Sequence, residues 1–211
     1  MTLEIISRIC GPLDNNTYVL VDKETYEAVV IDPSFESEII LEDARQNGWR
    51  LTKIWLTHAH FDHFAGIGPI SHAYSPPLPF GFHSADLDLW RQGGGSHTFG
   101  IKIVPPGDPS FHFYHQQKVQ VGTSWLEVRH TPGHTPGHVV FYSSEENVAF
   151  CGDLIFFHSV GRTDLPGGDG SALIRSIQTQ ILTLPSNTRL LCGHGIETTV
   201  TEEQKNNPFL S

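Results

Sequence analysis

Short apolar runs closed by turn residues dominate the first part of the chain. These runs are rich in β-branched and aromatic residues and end at Gly, Pro, Asp or Asn, which predicts strands. Three such strands are expected, over residues 4–9, 17–21 and 26–31. Apolar residues then recur with helical spacing over residues 34–47, and Gly48 marks the helix end. A further apolar strand over residues 52–57 completes a β-α-β unit, which predicts a mixed α/β sheet.

The second part of the chain repeats this alternation with a long interruption. A second helix is expected from His63 to about Tyr74, where a proline-rich stretch breaks it. Residues 91–116 show no clean period and predict a long loop of the kind that often covers a site. A last long helix is expected over residues 169–184, closed by Pro185. The remaining strands are expected over residues 125–129, 139–142, 148–151 and 189–192.

Composition narrows the class of protein. A chain of 211 residues without internal repeats fits one domain, residues 1–211. The formal net charge of −10 argues against a nucleic acid as partner, because phosphate binding needs concentrated Lys and Arg. No apolar run approaches the ~20 residues of a membrane helix, so no membrane partner is expected. The 3 cysteines form no CxxC pair, which indicates a reducing, cytoplasmic environment with buried free thiols.

Metal-type side chains follow four of the predicted strands. His58, His134, Asp153 and His194 each come shortly after an apolar run. Ligands of α/β sheets bind beyond strand ends, where loops from distant parts of the chain converge. These four positions therefore predict one site assembled from separate segments, in a chain whose 13 histidines equal its Lys and Arg together.

The run His58-Ala59-His60-Phe61-Asp62-His63 also has suitable local spacing. His58 and His60 are two residues apart, so that their imidazoles can point the same way in an extended turn. Asp62 and His63 are adjacent where the chain enters a helix, and can address a second point. Imidazole nitrogens and carboxylate oxygens suit Zn(II), Mn(II) or Fe(II).

Five motifs in fixed order make the resemblance to a known family specific. The segments HAHFDH, TPGHTPGH, CGDLIF, GRTDLPGGDG and CGHG resemble the metallo-β-lactamase superfamily and its glyoxalase II-like branch, over nearly the whole chain. The chain is most similar to the compact type II hydroxyacylglutathione hydrolases, which lack an extra substrate domain. This resemblance implies an α/β fold, the four-layer αββα sandwich.

The resemblance also implies a binuclear metal centre. His58, His60 and His134 would hold the first metal; Asp62, His63 and His194 would hold the second. Asp153 would bridge the two divalent ions, for which zinc is expected and iron or manganese are the alternatives. Asp62 and Asp153 are in addition the candidate catalytic residues. The histidine at position 60 differs from the usual Glu of flavodiiron relatives, and zinc β-lactamases generally lack an Asp at the position of Asp153.

The activity implied is hydrolysis of a small-molecule thioester of the S-acylglutathione type, such as S-lactoylglutathione to lactate plus glutathione. Two metals ~3.5–4 Å apart lower the pKa of a shared water, and the hydroxide attacks the thioester carbonyl. The alternative is a mononuclear iron persulfide dioxygenase that uses His58, His134 and Asp153 as a facial triad. A third class is an orphan hydrolase that cleaves a lactone or phosphoester.

Several further positions carry expectations. Thr57 and His138 are expected to orient ligands or turns through hydrogen bonds. For Arg162 and Asp164 two interpretations stay open: contact with an anionic substrate group or a ligand histidine, or an internal ion pair. His158 is the histidine outside the ligand set that could face the cleft. Three stretches without a predicted role in chemistry are the turn at 32–35, the glycines 93–95 and the aromatic cluster 111–114.

Overall fold

The strands of the computed structural model, which describes residues 2–210, form two six-stranded sheets and a small hairpin. The first sheet has the order β1-β2-β3-β4-β5-β6, comprising Leu3–Cys10, Asn15–Asp22, Glu27–Ile31, Arg50–Trp55, Phe80–His83 and Phe111–Phe113. The second has the order β14-β13-β10-β9-β8-β7, comprising Thr198–Thr199, Arg189–Cys192, Val148–Gly152, Val139–Ser143, Ser124–His130 and Lys118–Val121. The hairpin pairs β11 (Ile155–Phe156) with β12 (Ser159–Val160).

Helices lie on the outer face of each sheet. The α-helices are α1 (Ile39–Asn47), α2 (Phe61–Phe64), α3 (Ile67–His72), α4 (Leu87–Arg91), α5 (Gly170–Ser176) and α6 (Val200–Asn206). A π-helical segment, Ile177–Ile181, continues α5, and 3-10 turns occupy Ser84–Asp86 and Ser96–Phe99. None of the described helices is both long enough and apolar enough to span a bilayer.

Three apolar clusters fill the three spaces between four layers. One cluster joins the first sheet to helices α1 to α4, with Trp90 and Phe64 among its buried side chains. A second lies between the two sheets, where Trp55 packs against Phe141 with ring centroids 5.1 Å apart. The third joins the second sheet to α5, the π-helical segment and α6. The expected four-layer αββα arrangement is therefore confirmed.

The strand predictions in both halves of the chain are confirmed within one or two residues. The predicted β-α-β unit is present, since β3 and β4 pair in parallel on either side of α1. The buried thiols expected at Cys151 and Cys192 are also observed: both side chains are fully buried and free.

Two helix predictions in the first half were wrong in extent. Helix α1 begins at Ile39 rather than near Ser34, because Glu36 adopts a positive φ of 62° and Ser37 bonds to the Ser34 carbonyl at 2.6 Å. The helix predicted from His63 to Tyr74 is two short helices. Gly66 separates them, and its close approach to the Pro33–Ser37 turn leaves no room for a side chain.

Three further elements differ from the sequence expectations. The helix predicted over 169–184 changes to π-helical geometry at Ile177, and it is not the last one, because α6 follows. The segment 91–116 is not a structureless loop: it contains the Ser96–Phe99 turn and strand β6. Side chains alternate between the two faces of the sheet along β6: His112 is exposed, and Phe113 is buried in the core between the sheets. Strands too short to show a period, β11, β12 and β14 among them, were missed.

Candidate metal centre

All seven predicted ligand residues meet at one edge of the sandwich. His58 follows β4, His134 follows β8, Asp153 follows β10 and His194 follows β13, as expected for loops that leave neighbouring strand ends. The remaining three, His60, Asp62 and His63, lie at the start of α2. Six of the seven are buried, and His194 is partly exposed.

The first group of side chains consists of three histidines. One ring nitrogen from each of His58, His60 and His134 lies within 4.8 Å of the others. The Nδ1 atom of His60 faces the Nε2 atom of His134 at 2.8 Å, and the rings stand nearly perpendicular. Nitrogens from three rings therefore converge on one point, as three ligands of a tetrahedral site would.

The second group contains a carboxylate and two histidines. The ligand atoms of Asp62, His63 and His194 also lie within 4.8 Å of one another. The Oδ2 atom of Asp62 is 3.6 Å from His63 Nε2 and 3.4 Å from His194 Nε2. This arrangement supplies a second point of convergence beside the first.

Asp153 lies between the two groups. Its Oδ2 atom is 3.6 Å from His134 Nε2 in the first group and 3.7 Å from His194 Nε2 in the second. Its Oδ1 atom is 3.3 Å from His63 Nε2. One carboxylate thus faces both groups, which is the position of a bridging ligand. The ligand roles themselves stay a prediction.

Unsatisfied polar atoms show that this cluster fits a cation. His58 Nε2, His63 Nε2 and Asp153 Oδ1 are buried and find no hydrogen-bond partner among residues 2–210. Leaving a buried polar atom unpaired costs ~1–3 kcal/mol, so that such atoms normally have a partner. Divalent cations would satisfy all three, and a set of imidazole and carboxylate donors suits zinc, iron or manganese.

Hydrogen bonds on the far side of the rings aim the Nε2 atoms at the centre. The Nδ1 atom of His63 donates to Asp32 at 3.0 Å, that of His134 to the Arg162 carbonyl at 2.8 Å, and that of His194 to the Leu13 carbonyl at 2.9 Å. Because a neutral imidazole carries one proton, this bond on Nδ1 leaves Nε2 free to act as a ligand.

Two of the histidines and the Asp153 carboxylate are already in the protonation state that binds a cation. Burial, with the neighbouring histidines, lowers the pKa of His58 well below its ordinary value, and burial and His134 lower the pKa of His60 to about 3. Burial raises the pKa of Asp153, but the charge of His63 outweighs it, so the carboxyl pKa lies well below its usual range. His63 and His194 differ. Burial lowers their pKa, but the carboxylates of Asp153 and Asp62 outweigh it and raise both pKa values, so these two imidazoles would release a proton when a cation binds.

Asp32 is the most important residue that the sequence analysis did not assign. Its Oδ2 atom accepts hydrogen bonds from His63 Nδ1 and from the Thr57 hydroxyl, the latter at 2.6 Å. The Thr57 oxygen in turn lies 3.0 Å from His58 Nδ1. The orienting role expected for Thr57 therefore has a geometric basis, and Asp32 connects it to both ligand groups. The only signal in the sequence was the Asp-Pro turn that ends β3.

Asp86 and Asn15 also hold the centre in place. Asp86 is fully buried and accepts hydrogen bonds from Ala59 N, Thr135 Oγ1 and Gly137 N. Asn15 donates to Asp62 Oδ2 at 2.9 Å. Neither residue belongs to a motif, and their partners are distant in the chain, so no pattern in the sequence could have identified them.

Two further residues, His138 and Gly94, pack against the ligand segments. The ring of His138 stacks on that of His58 with centroids 5.3 Å apart, and its Nδ1 bonds to Thr131 at 2.8 Å. This geometry fits the orienting role expected for His138. Gly94 packs against the ligand segment: its carbonyl accepts the Phe61 N–H, and a side chain at this position would collide with Phe61.

The structure shows the ion pair expected for Arg162 and Asp164, and a contact of Arg162 with substrate stays a prediction because Arg162 also lines the cavity. Their side chains form a two-point ion pair, with distances of 2.7 and 2.8 Å, on the exposed surface of the loop. The backbone carbonyl of Arg162, and not Asp164, bonds to a ligand histidine. The expectation that His158 could face the cleft was wrong: its Nε2 is 2.7 Å from Glu202, away from the cavity.

A cavity of about 500 Å³ opens over the ligand cluster. Its floor contains His60, Asp62, His134, Asp153 and His194. Its walls are mostly apolar and are formed by Leu13, Phe61, Gly94, Phe99, Phe156, Ser159, Arg162, Leu165 and Gly195. Pockets of this size and composition bind small molecules.

Comparison with known proteins agrees with the fold and the cluster. The family model of the metallo-beta-lactamase superfamily matches residues 10–194, and the chain belongs to this superfamily. Hydroxyacylglutathione hydrolase GloC of Haemophilus influenzae is 32% identical and covers 100% of this chain and 99% of its own. The chain is accordingly a metallohydrolase of the superfamily.

Two solved structures are similar over nearly their full length. BLEG-1, a B3 metallo-beta-lactamase, superposes with a TM-score of 0.92 at 34% identity, covering 99% of this chain and 100% of its own. TTHA1623 in a di-iron-bound form gives a TM-score of 0.87 at 39% identity, covering 97% and 100%. The hydroxyacylglutathione hydrolase and the B3 metallo-beta-lactamase are similar to this chain at nearly the same identity, 32% and 34%. Membership of the glyoxalase II-like branch therefore stays a prediction.

Proposed function

We propose that this protein hydrolyses small-molecule thioesters of the S-acylglutathione type, with S-lactoylglutathione as the reference substrate. The observation that carries the proposal is the position of Asp153 between two complete groups of three ligand side chains. The similarity to a hydroxyacylglutathione hydrolase over both full lengths supports the choice of thioester. The overall reaction forms a C–O bond to water, breaks the C–S bond and leaves a carboxylic acid and a thiol.

Two divalent cations in this centre, with zinc expected, would supply hydroxide at neutral pH and polarise the acyl carbonyl. The residues of the chain would supply the charged ligands, hold them in place and shield the reacting carbonyl from water. Asp62 and Asp153 stay ionised: burial raises the pKa of Asp62, but the charge of His63 outweighs it and brings that pKa to about 2. Asn15 fixes the Asp62 carboxylate, and the apolar walls of the cavity limit the water that reaches the reacting carbonyl.

The persulfide dioxygenase alternative makes a different demand on the same residues. A single iron would need His58, His134 and Asp153. The second group of side chains would then bind no metal. Asp62, His63 and His194 are nevertheless oriented by Asn15, Asp32 and the Leu13 carbonyl. A built second group supports the binuclear hydrolase over the mononuclear oxygenase.

Metal analysis combined with two assays tests the proposal. We expect about two divalent ions per chain, release of thiol from S-lactoylglutathione and no oxygen consumption with glutathione persulfide. Asp153→Ala should abolish thiol release. One iron per chain with oxygen uptake would establish the dioxygenase instead. Full occupancy by two metals without release of thiol from any thioester would refute the proposed activity.

A further inference from the structure

The cavity above the ligand cluster has two apolar walls. On one side Phe61 and Phe99 pack together, with ring centroids 5.4 Å apart. Leu13 and Phe156 form the second wall, next to His194: the Leu13 carbonyl accepts the bond from His194, and the ring of Phe156 lies 6.2 Å from its imidazole. Both walls therefore begin directly at the ligands and not at the periphery of the cavity.

These walls leave large apolar side chains open to water. Phe99 is 46% exposed and Leu13 is 43% exposed. Single exposed apolar residues need no explanation, but apolar residues gathered around a polar floor mark a binding surface. A substrate group that covers them would remove apolar area from water, at roughly 25 cal/mol per Å².

The position of Phe99 is fixed by its surroundings. It ends the Ser96–Phe99 turn, which lies between two glycines in the left-handed region, Gly95 at φ 76° and Gly100 at φ 71°. The same loop is attached to the metal-binding segment, because Phe61 N donates to the Gly94 carbonyl at 3.1 Å. Phe99 is thus held against Phe61 beside the ligands.

Polar groups that could select a hydroxylated acyl group are scarce in this cavity. Apart from the predicted metal ligands, the polar side chains of the lining are Ser159 and Arg162. Arg162 already directs Nε and one terminal nitrogen to Asp164. The α-hydroxyl of a lactoyl group would therefore face mostly apolar walls with few hydrogen-bond partners, and burying it there is less favourable than burying an apolar group.

We propose that the walls formed by Leu13, Phe61, Phe99 and Phe156 receive the acyl group, and that the preferred substrates are thioesters of apolar acyl groups, linear chains of several carbons or aromatic rings. The inference rests on the proposed thioester hydrolysis and specifies its substrate class. S-lactoylglutathione is then a substrate, but a poor one. Water adds to the acyl carbon, the C–S bond breaks, and the thiol leaves with the proton, whichever acyl group is bound.

A panel of thioesters with one thiol and different acyl groups tests this assignment. The metal-loaded protein is assayed for thiol release from S-lactoyl-, S-hexanoyl- and S-benzoylglutathione. Each buried methylene contributes ~0.8 kcal/mol, so we expect kcat/KM for the hexanoyl and benzoyl thioesters to exceed that for the lactoyl thioester by at least about tenfold. In Phe99→Ala, kcat/KM should fall by about tenfold for the hexanoyl thioester and by no more than about twofold for the lactoyl thioester.

Phe209→Ala is the matched control, since Phe209 is 55% exposed and does not line the cavity. We expect this variant to keep the activity of the unmodified chain on all three thioesters, and Phe99→Leu to recover most of the loss. Equal or better turnover of the lactoyl thioester, or an equal loss on both acyl groups in Phe99→Ala, would overturn the acyl assignment and leave thioester hydrolysis intact. No thiol release from any member of the panel would refute the proposed function itself.

Discussion

The carboxylate of Asp86 accepts a hydrogen bond from the Thr135 hydroxyl at 2.8 Å, and by this contact it connects two loops that are far apart in the sequence. The same oxygen accepts the Ala59 N–H between His58 and His60, and the second oxygen accepts the Gly137 N–H. The segment with the first two predicted ligands and the segment with His134 are therefore held at a fixed separation by one buried side chain.

Replacing Asp86 should destabilise the fold. In Asp86→Ala three buried donors lose their acceptor, and each unsatisfied donor costs ~1–3 kcal/mol. Partial relaxation leaves an expected loss of about 3 kcal/mol, which lowers Tm by roughly 10 °C in a chain of this size. Thermal unfolding measures it.

Asp88→Ala is the control, because Asp88 is exposed and lies two residues further along, in helix α4. Its Tm should stay within about 2 °C of the unmodified protein. A similar Tm for both variants would show that Asp86 does not fasten the two loops.

Asp153 and His138 should differ in their effect on metal content. Asp153→Ala removes the carboxylate that faces both groups, and we expect it to lose bound metal and nearly all activity. His138→Ala removes a ring that stacks on His58 and belongs to neither group of ligands. We expect it to keep most of its metal, as measured by elemental analysis of the purified protein. Equal metal loss in both variants would contradict the orienting role of His138.

Asp32 should set the metal affinity through His63. Asp32→Asn keeps the shape of the side chain and tolerates the positive φ of 51° at this position. It removes the negative charge that fixes the Nδ1–H of His63, and changes to such partners typically cost 10–100-fold in affinity. Competition with a chelator of known affinity measures the loss.

Asp14→Asn is a suitable control for this variant, since Asp14 is exposed and also has a positive φ, 52°. It should bind metal like the unmodified chain. Unchanged affinity in Asp32→Asn would mean that His63 does not depend on this carboxylate.

His83 should make the stability of the fold depend on pH. Its half-buried ring stacks on His130 with centroids 4.0 Å apart, and burial together with His130 lowers the pKa of His83 to about 4. The unfolded chain binds this proton near pH 6.5, so the free energy of unfolding should fall as the pH decreases from about 6.5 to about 4. Above pH 6.5 the contribution is fully present. Solvent screens the partly exposed ring, and we expect a loss of about 1 kcal/mol.

Urea unfolding at pH 7.5 and pH 5 tests this expectation. His83→Asn keeps an acceptor for the Ala85 N–H and should lose about 0.6 kcal/mol less than the unmodified protein, because pH 5 covers only part of the range between pH 6.5 and 4. His72→Asn, at an exposed histidine, should show the original pH dependence. An unchanged dependence in His83→Asn would contradict the shifted pKa.

The accuracy of the sequence analysis depended on how local each feature is. Strand β10, with all five residues buried, and residues 17–21 of the fully buried strand β2 are visible as largely apolar runs because burial acts on every position. The helix predicted across His63 to Tyr74 failed for a non-local reason. Gly66 ends one helix and begins another because it packs on the turn after β3, more than 25 residues earlier in the chain.

The sequence by itself determined which residue types stand at the ends of which strands, and thereby the family, the layer order and the seven candidate ligands. Spacing within HAHFDH and the apolar runs before each motif are local properties, so they can be recognised in the sequence without knowledge of the fold. Only the tertiary structure decided how these side chains are oriented. Asp32 and Asn15 bond to ligands from distant segments, Asp86 holds the backbone between two of them, and Phe99 packs on Phe61. Hydrogen bonding and packing act between neighbours in space, whatever their separation along the chain.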